Sequence, residues 1–118
     1  MKKLFVSALA FALLIALGCK KEEVQVFDCA GLTPTYTADI KAILDANCNT
    51  SGCHDVNTSS GNIDLTTYAK AKSESVKDRF LGSIQHKSGY RAMPDNEPKL
   101  SDALIQKISC WVQNGSPE

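Results

Sequence analysis

Apolar residues recur at helical spacing in the polar part of the chain. The first stripe follows the i, i+3, i+4 spacing of one helix face and consists of Ile40, Ile43 and Leu44. With Thr37 as N-cap, we expect this helix to run to about Asn47. A second, short helix is expected near 67–72 and a third near 75–85. The apolar positions of the third helix are Val76, Phe80, Leu81 and Ile84.

The last helix has the clearest signals at both ends. Ser101 is the predicted N-cap, and Leu100 before it is placed to pack on Ile105 as a hydrophobic staple. Gly115 and Pro117 are expected to end the helix. Its buried stripe consists of Leu104, Ile105, Ile108, Trp111 and Val112.

Long polar loops separate these helices. Residues 47–62 are rich in Asn, Ser, Thr and Gly, and residues 87–99 contain Gly89, Pro94 and Pro98. No segment alternates as a strand would, and no internal repeat is present. We therefore expect a mostly α fold of three to four helices, with long loops that wrap a bound group.

The N-terminus has the pattern of an export signal. Lys2 and Lys3 precede an apolar run over 4–17, which is shorter than a membrane-spanning helix needs. The run ends in Ala16-Leu17-Gly18-Cys19, which resembles the lipobox of bacterial lipoproteins. That resemblance implies a signal peptide over 1–18 and acylation of Cys19. An uncleaved signal anchor and an ordinary secretory signal are the alternatives.

The expected mature chain has a charged, lipidated tether over 19–35 and one domain over 36–118. The charged residues after Cys19 resemble export signals of surface-exposed Gram-negative lipoproteins, although a solvated spacer has the same composition. We expect anchoring to a bacterial membrane, with the outer membrane or cell surface favoured over the inner membrane.

The charge balance excludes one large class of partners. The 118-residue chain has 13 basic and 13 acidic residues, so it lacks the basic footprint of a nucleic-acid-binding protein. Nor does the sequence offer an activated nucleophile, a general base or a phosphate-binding loop. We therefore expect a protein that is not an enzyme.

The main chemical signal is the segment Cys48-Asn49-Thr50-Ser51-Gly52-Cys53-His54. Covalent haem attachment needs two thiols that add to the two vinyl groups, followed at once by an imidazole for the iron. In the Cys-x-x-Cys-His signature of such sites, two residues separate the thiols. Here four residues separate them, and Gly52 supplies the backbone freedom that the longer loop requires. Two alternatives remain. One is a Cys48–Cys53 disulfide, and the other is a zinc site completed by His86.

Met93 stands in a polar loop with few apolar neighbours in sequence. Pro94 biases it towards extended geometry, which allows the thioether to project from a loop wall. A lone Met is usually a core residue, and this loop offers little core around it.

The order of these features resembles that of small class I c-type cytochrome domains in exported bacterial lipoproteins. The shared features are a helix, Ser51-Gly52-Cys53-His54, a late Met93-Pro94, then Leu100-Ser101 and a final helix with Trp111. The resemblance covers about 36–115. It implies a haem c group bound to Cys48 and Cys53, with iron ligated by His54 and Met93. It also implies that the first and last helices pack together.

The implied function is electron transfer to a redox protein partner. His86 is the rival distal ligand, because bis-His ligation is common with wide cysteine spacing, and Met ligation gives the higher reduction potential. Lys87 and Arg91 are candidates for pairing with a haem propionate, or are solvated loop charges. The alternative function is a haem-free binding or structural module stabilised by disulfides.

Two cysteines remain once Cys19 is lipidated and Cys48 and Cys53 hold haem. We expect Cys29 and Cys110 to form a disulfide, because an exported protein meets an oxidising compartment. Two inert thiols are the alternative.

Overall fold

The computed structural model describes Gly18 and residues 20–118, so residues 1–17 of the expected signal peptide and the lipidation site Cys19 lie outside the described residues. The described part is mostly helical and contains no strand, which confirms the expected α class. A π-helical turn, Tyr36–Ile40, continues directly into α1, and the two together are here called the first helical segment. One 3-10 turn spans Ser60–Asn62. The four α-helices are α1 (Lys41–Asn47), α2 (Tyr68–Ser75), α3 (Asp78–Ile84) and α4 (Asp102–Gln113). Among the described residues, none of the helices is long and apolar enough to span a bilayer.

The first helical segment begins two residues before the predicted start, and its N-cap is Thr35, not Thr37. The Thr35 side chain accepts a hydrogen bond from the Ala38 N–H at 3.2 Å. In return, the Asp39 carboxylate accepts one from the Thr35 N–H at 3.1 Å. Both threonines are suitable caps by type, and the reciprocal contact with Asp39 favours the earlier one.

The predicted third helix, 75–85, begins later than expected. Residues up to Ser75 belong to α2, and α3 starts only at Asp78. The Ser75 hydroxyl is buried and bonds to the Ser116 hydroxyl at 2.7 Å, which fixes the end of α2 against the C-terminal residues. As a result, Val76 lies at the junction and is 77% exposed, whereas Phe80, Leu81 and Ile84 are buried as expected.

Helix α4 packs against the first helical segment, as the resemblance implies. Ser101 caps α4 as predicted, accepting a hydrogen bond from the Leu104 N–H. Trp111 is fully buried and its ring lies 6.3 Å from that of Tyr36. The Lys107 ammonium bonds to the Asp39 carboxylate at 3.0 Å across the same interface. The other fully buried large side chains of this contact are Ile40, Leu44 and Ile108.

Residues 21–29, here called the N-terminal strap, lie along the helical domain. The Gln85 side chain accepts from the Gln25 N–H at 2.6 Å and donates to the Gln25 carbonyl at 3.0 Å. The Gln113 side chain pairs in the same way with the N–H and carbonyl of Phe27, both at 3.0 Å. Each glutamine amide therefore makes the pair of backbone hydrogen bonds that a neighbouring strand would make. Phe27 and Val24 of the strap pack on the core.

A disulfide joins the end of the strap to α4. Cys29 and Cys110 are bonded, with their Cα atoms 5.5 Å apart, as the cysteine count predicts. Cys110 is completely buried, because the strap covers this face of α4. The bond closes a sequence separation of 81 residues, so it excludes many conformations of the unfolded chain.

Replacing Cys29 by Ala should lower the free energy of unfolding by about 4 kcal/mol, because the cross-link no longer restricts the unfolded ensemble. Urea unfolding of the full chain measures this value. Val26→Ala is the matched control, since Val26 lies in the same strap and its side chain is 76% exposed. Equal stability of the two variants would contradict this role for the disulfide.

Candidate functional site: a cavity lined by thiols, an imidazole and a thioether

One cavity of about 480 Å³ collects the four residues that the sequence predicts as haem-binding. This volume is within the range of roughly 300–1,000 Å³ that is typical of ligand pockets. Cys48, Cys53, His54 and Met93 all line it. His86, the rival distal ligand, is not among the residues that line the cavity.

Cys48 and Cys53 are both free thiols and both half-buried. Burial raises the pKa of the Cys48 thiol to about 11, and the neighbouring Cys53 adds to the rise. Cys48 is therefore a neutral thiol at ordinary pH. A disulfide between the two, which the haem-free alternative requires, is not formed in this structure.

His54 is oriented by a backbone carbonyl. Its Nδ1 lies 3.1 Å from the Ile63 oxygen, a contact that fits an Nδ1–H donor. In that tautomer Nε2 has the free lone pair, which is the arrangement found in metal-ligating histidines. The His54 backbone is also fixed, because its N–H donates to Cys48 and its carbonyl accepts from Leu65, at 3.0 and 3.1 Å.

Asp55 organises the loop that presents these residues. Its carboxylate accepts from the backbone N–H groups of Gly52, Asn57 and Thr58 at 2.7–2.9 Å. The Thr58 bond is the main cause that lowers the pKa of Asp55 below its usual value. Gly52 has φ +85°, so the longer spacing between the cysteines does use the conformational freedom of glycine. Asp55 was not predicted as a site residue, although an Asp shortly before Asn57 and Thr58 in a polar loop is typical of such turns.

Met93 is held through both of its backbone groups, by Ser83 in α3 and by His86 just after α3. Its N–H donates to the Ser83 carbonyl at 3.1 Å. Its carbonyl lies 3.0 Å from His86 Nε2. His86 was the rival of Met93 as distal ligand. In the structure it contacts the Met93 backbone instead, and it supports the loop that places the Met93 side chain at the cavity.

Tyr90 and Gly82 pack together beside the cavity, and only a weak sequence signal points to them. A Cβ atom on Gly82 would lie 2.6 Å from the Tyr90 ring, so only glycine lets the ring pack directly on α3. Tyr90 itself lines the cavity. The signal was an isolated glycine inside a helical pattern, which often marks a close approach.

Charged side chains surround part of the cavity. Arg91 lines it and forms a two-bond pair with Asp95, at 2.6 and 3.1 Å. Lys87, the other expected propionate partner, does not line the cavity and pairs with Glu22 at 2.9 Å. Arg79 lines it as well and bonds to Glu74 at 2.7 Å.

No cluster of three or more His, Cys, Asp or Glu side chains arranged for a metal ion is found within residues 20–118. The zinc site that would combine Cys48, Cys53, His54 and His86 is therefore not assembled. A haem iron needs fewer protein ligands than a zinc ion, because the porphyrin supplies four ligands and the protein supplies only the axial ones.

Comparison with models of protein families, with curated proteins and with solved structures found no match.

In haem-free folded protein, alkylation of Cys48 by iodoacetamide should rise about tenfold per pH unit from pH 8 to 10, since the thiolate is the reactive form. Its pKa of about 11 lies above this range. Fragment-ion mass spectrometry of the tryptic peptide 42–70, which contains both Cys48 and Cys53, assigns the label to Cys48 and measures its rate. The urea-unfolded chain is the control, and its rate should level off above roughly pH 9, as an ordinary thiol does. The same levelling in the folded protein would contradict burial of this thiol.

Proposed function

We propose that this protein is a haem-binding electron carrier, with one haem c attached through Cys48 and Cys53 and ligated by His54 and Met93. The observation that carries the proposal is the meeting of two free thiols, an imidazole and a thioether at one cavity. These groups come from two loops that are 40 residues apart in sequence, between Cys53 and Met93.

The donor set fits the chemistry of haem c. Two thiols are needed to form the thioether bonds, and the imidazole that follows Cys53 is the expected proximal ligand. When bound, haem supplies reversible one-electron exchange at its iron, and no further catalytic residue is needed.

The surrounding residues tune and orient the ligands. The Ile63 carbonyl that accepts from His54 Nδ1 fixes the tautomer and the plane of the ring. Ser83 and His86 hold the Met93 backbone, so little conformational entropy is lost when the thioether binds. A Met ligand raises the reduction potential above that of a bis-His site.

We further propose that the chain is a lipoprotein with a small class I cytochrome c domain, anchored through Cys19 to a bacterial membrane, with the outer membrane or cell surface favoured. Its partner would be another redox protein. Anchoring would confine their encounter to the membrane surface, and one acyl chain alone would not hold the protein there stably.

The test is an optical spectrum with an intact mass. The full chain is produced in an exporting host that has cytochrome c maturation machinery. We expect a red protein whose haem resists acid extraction and whose mass includes one haem. The Cys48→Ala/Cys53→Ala double variant should lose its haem on extraction. A colourless chain in a host that matures a control cytochrome would contradict the proposal and support the haem-free alternative.

The distal ligand is tested by two variants of the loaded protein. Met93→Ala should abolish the near-infrared sulfur-to-iron band of the oxidised form and lower the reduction potential, because the thioether is lost. His86→Gln should keep the band, since an amide can still donate to the Met93 carbonyl. Loss of haem ligation in His86→Gln, with an unchanged band in Met93→Ala, would contradict this assignment.

A further inference from the structure

We infer that Lys21, in the N-terminal strap, binds the carboxylate edge of the group that fills the cavity. This inference rests on the proposed function, since haem has two carboxylates. It assigns part of the site to the charged segment that directly follows Cys19, which the sequence suggests is only a tether.

Lys21 reaches the cavity through a close backbone contact. It is one of the lining residues, and its ammonium lies 4.9 Å from the centre of the Tyr90 ring. A Cβ atom on Gly89 would lie 3.0 Å from both Cα and Cγ of Lys21. Gly89 also has φ +87°, so the strap lies against the cavity wall at a position that suits glycine on two grounds.

The neighbouring residue holds the strap at this point. The Glu22 N–H donates to the Ser88 carbonyl at 2.9 Å, and the Glu22 carboxylate accepts from the Ser88 N–H at 3.0 Å. The same carboxylate pairs with Lys87 at 2.9 Å. Lys21 is therefore kept at the cavity by contacts that do not involve its own ammonium group, which stays available.

The charge pattern distinguishes Lys21 from the other cations of the cavity. Arg79 and Arg91 line it too, and each is already paired with a carboxylate, of Glu74 and Asp95 respectively. Within residues 20–118, Lys21 has no carboxylate partner. Lys21 is exposed and its contact with the half-buried Tyr90 ring is weaker than a charge-assisted hydrogen bond to an anion, so the ammonium can turn towards an incoming carboxylate.

Three variants of the haem-loaded full chain test the inference. Lys21→Gln should lower the reduction potential by about 30 mV, an about threefold change in the redox equilibrium constant at roughly 59 mV per tenfold. The direction follows because a nearby cation stabilises the electron-rich form. Lys21→Arg should restore the wild-type potential. Lys20→Gln is the matched control, since it removes one charge from an adjacent, exposed residue that does not line the cavity.

Equal potentials in Lys21→Gln and Lys20→Gln would overturn the inference and leave the proposed function standing, because haem would still be attached. Failure of the wild-type chain to take up haem at all would instead overturn the proposed function, and this inference with it. Lys21 is exposed, so its replacement should leave the melting temperature of the loaded protein within the range of the Lys20→Gln control.

Discussion

The buried contact between α4 and the first helical segment determines where the rest of the chain lies. Trp111 is its centre, with the rings of Tyr36 and Phe80 6.3 and 6.5 Å away. The Trp111 indole N–H donates to the Pro117 carbonyl at 2.7 Å, which folds the C-terminal residues back over the same core. Because α1 is fixed here, its end at Asn47 fixes the starting point of the cysteine loop.

Loop residues line most of the cavity, together with Arg79 and Ser83 of α3. Single hydrogen bonds to backbone carbonyls orient His54 and hold the Met93 loop. The Ile63 carbonyl orients the His54 ring, and His86 reaches the carbonyl of Met93. In the cysteine loop, which lies outside the helices, the Asp55 carboxylate accepts hydrogen bonds from three backbone N–H groups. The loops of this domain can therefore present side chains in a fixed geometry, because their backbone groups are hydrogen-bonded.

The features that could be predicted from the sequence are those that depend on neighbouring residues in the chain. The i, i+3, i+4 stripes and the Ser101 cap identified the helices, and the cysteine-histidine segment with Met93 identified four residues that do meet at one cavity. The break at Val76 was missed, because an apolar residue at the junction extends the helical pattern although its side chain is exposed. Periodicity alone does not distinguish a buried position from such a residue.

Contacts between distant polar residues could not be predicted. Gln25 and Gln85 are separated by 60 positions, and an amide that pairs with a backbone segment leaves no pattern around itself. The charged composition of the strap therefore suggested a solvated tether, and Lys21 was not recognised as a cavity residue. His86 was recognised as chemically interesting, but its contact with the Met93 backbone depends on the path of the loop between them.

Covalent attachment of haem to the cysteine loop is the central claim, and a peptide mass tests it most directly. Tryptic cleavage after Lys41 and Lys70 releases the peptide 42–70, which contains Cys48, Cys53 and His54. From protein matured in a competent host, we expect this peptide to have the added mass of one haem and no free thiol. A peptide of unmodified mass, or one lighter by two hydrogens through a Cys48–Cys53 disulfide, would contradict it.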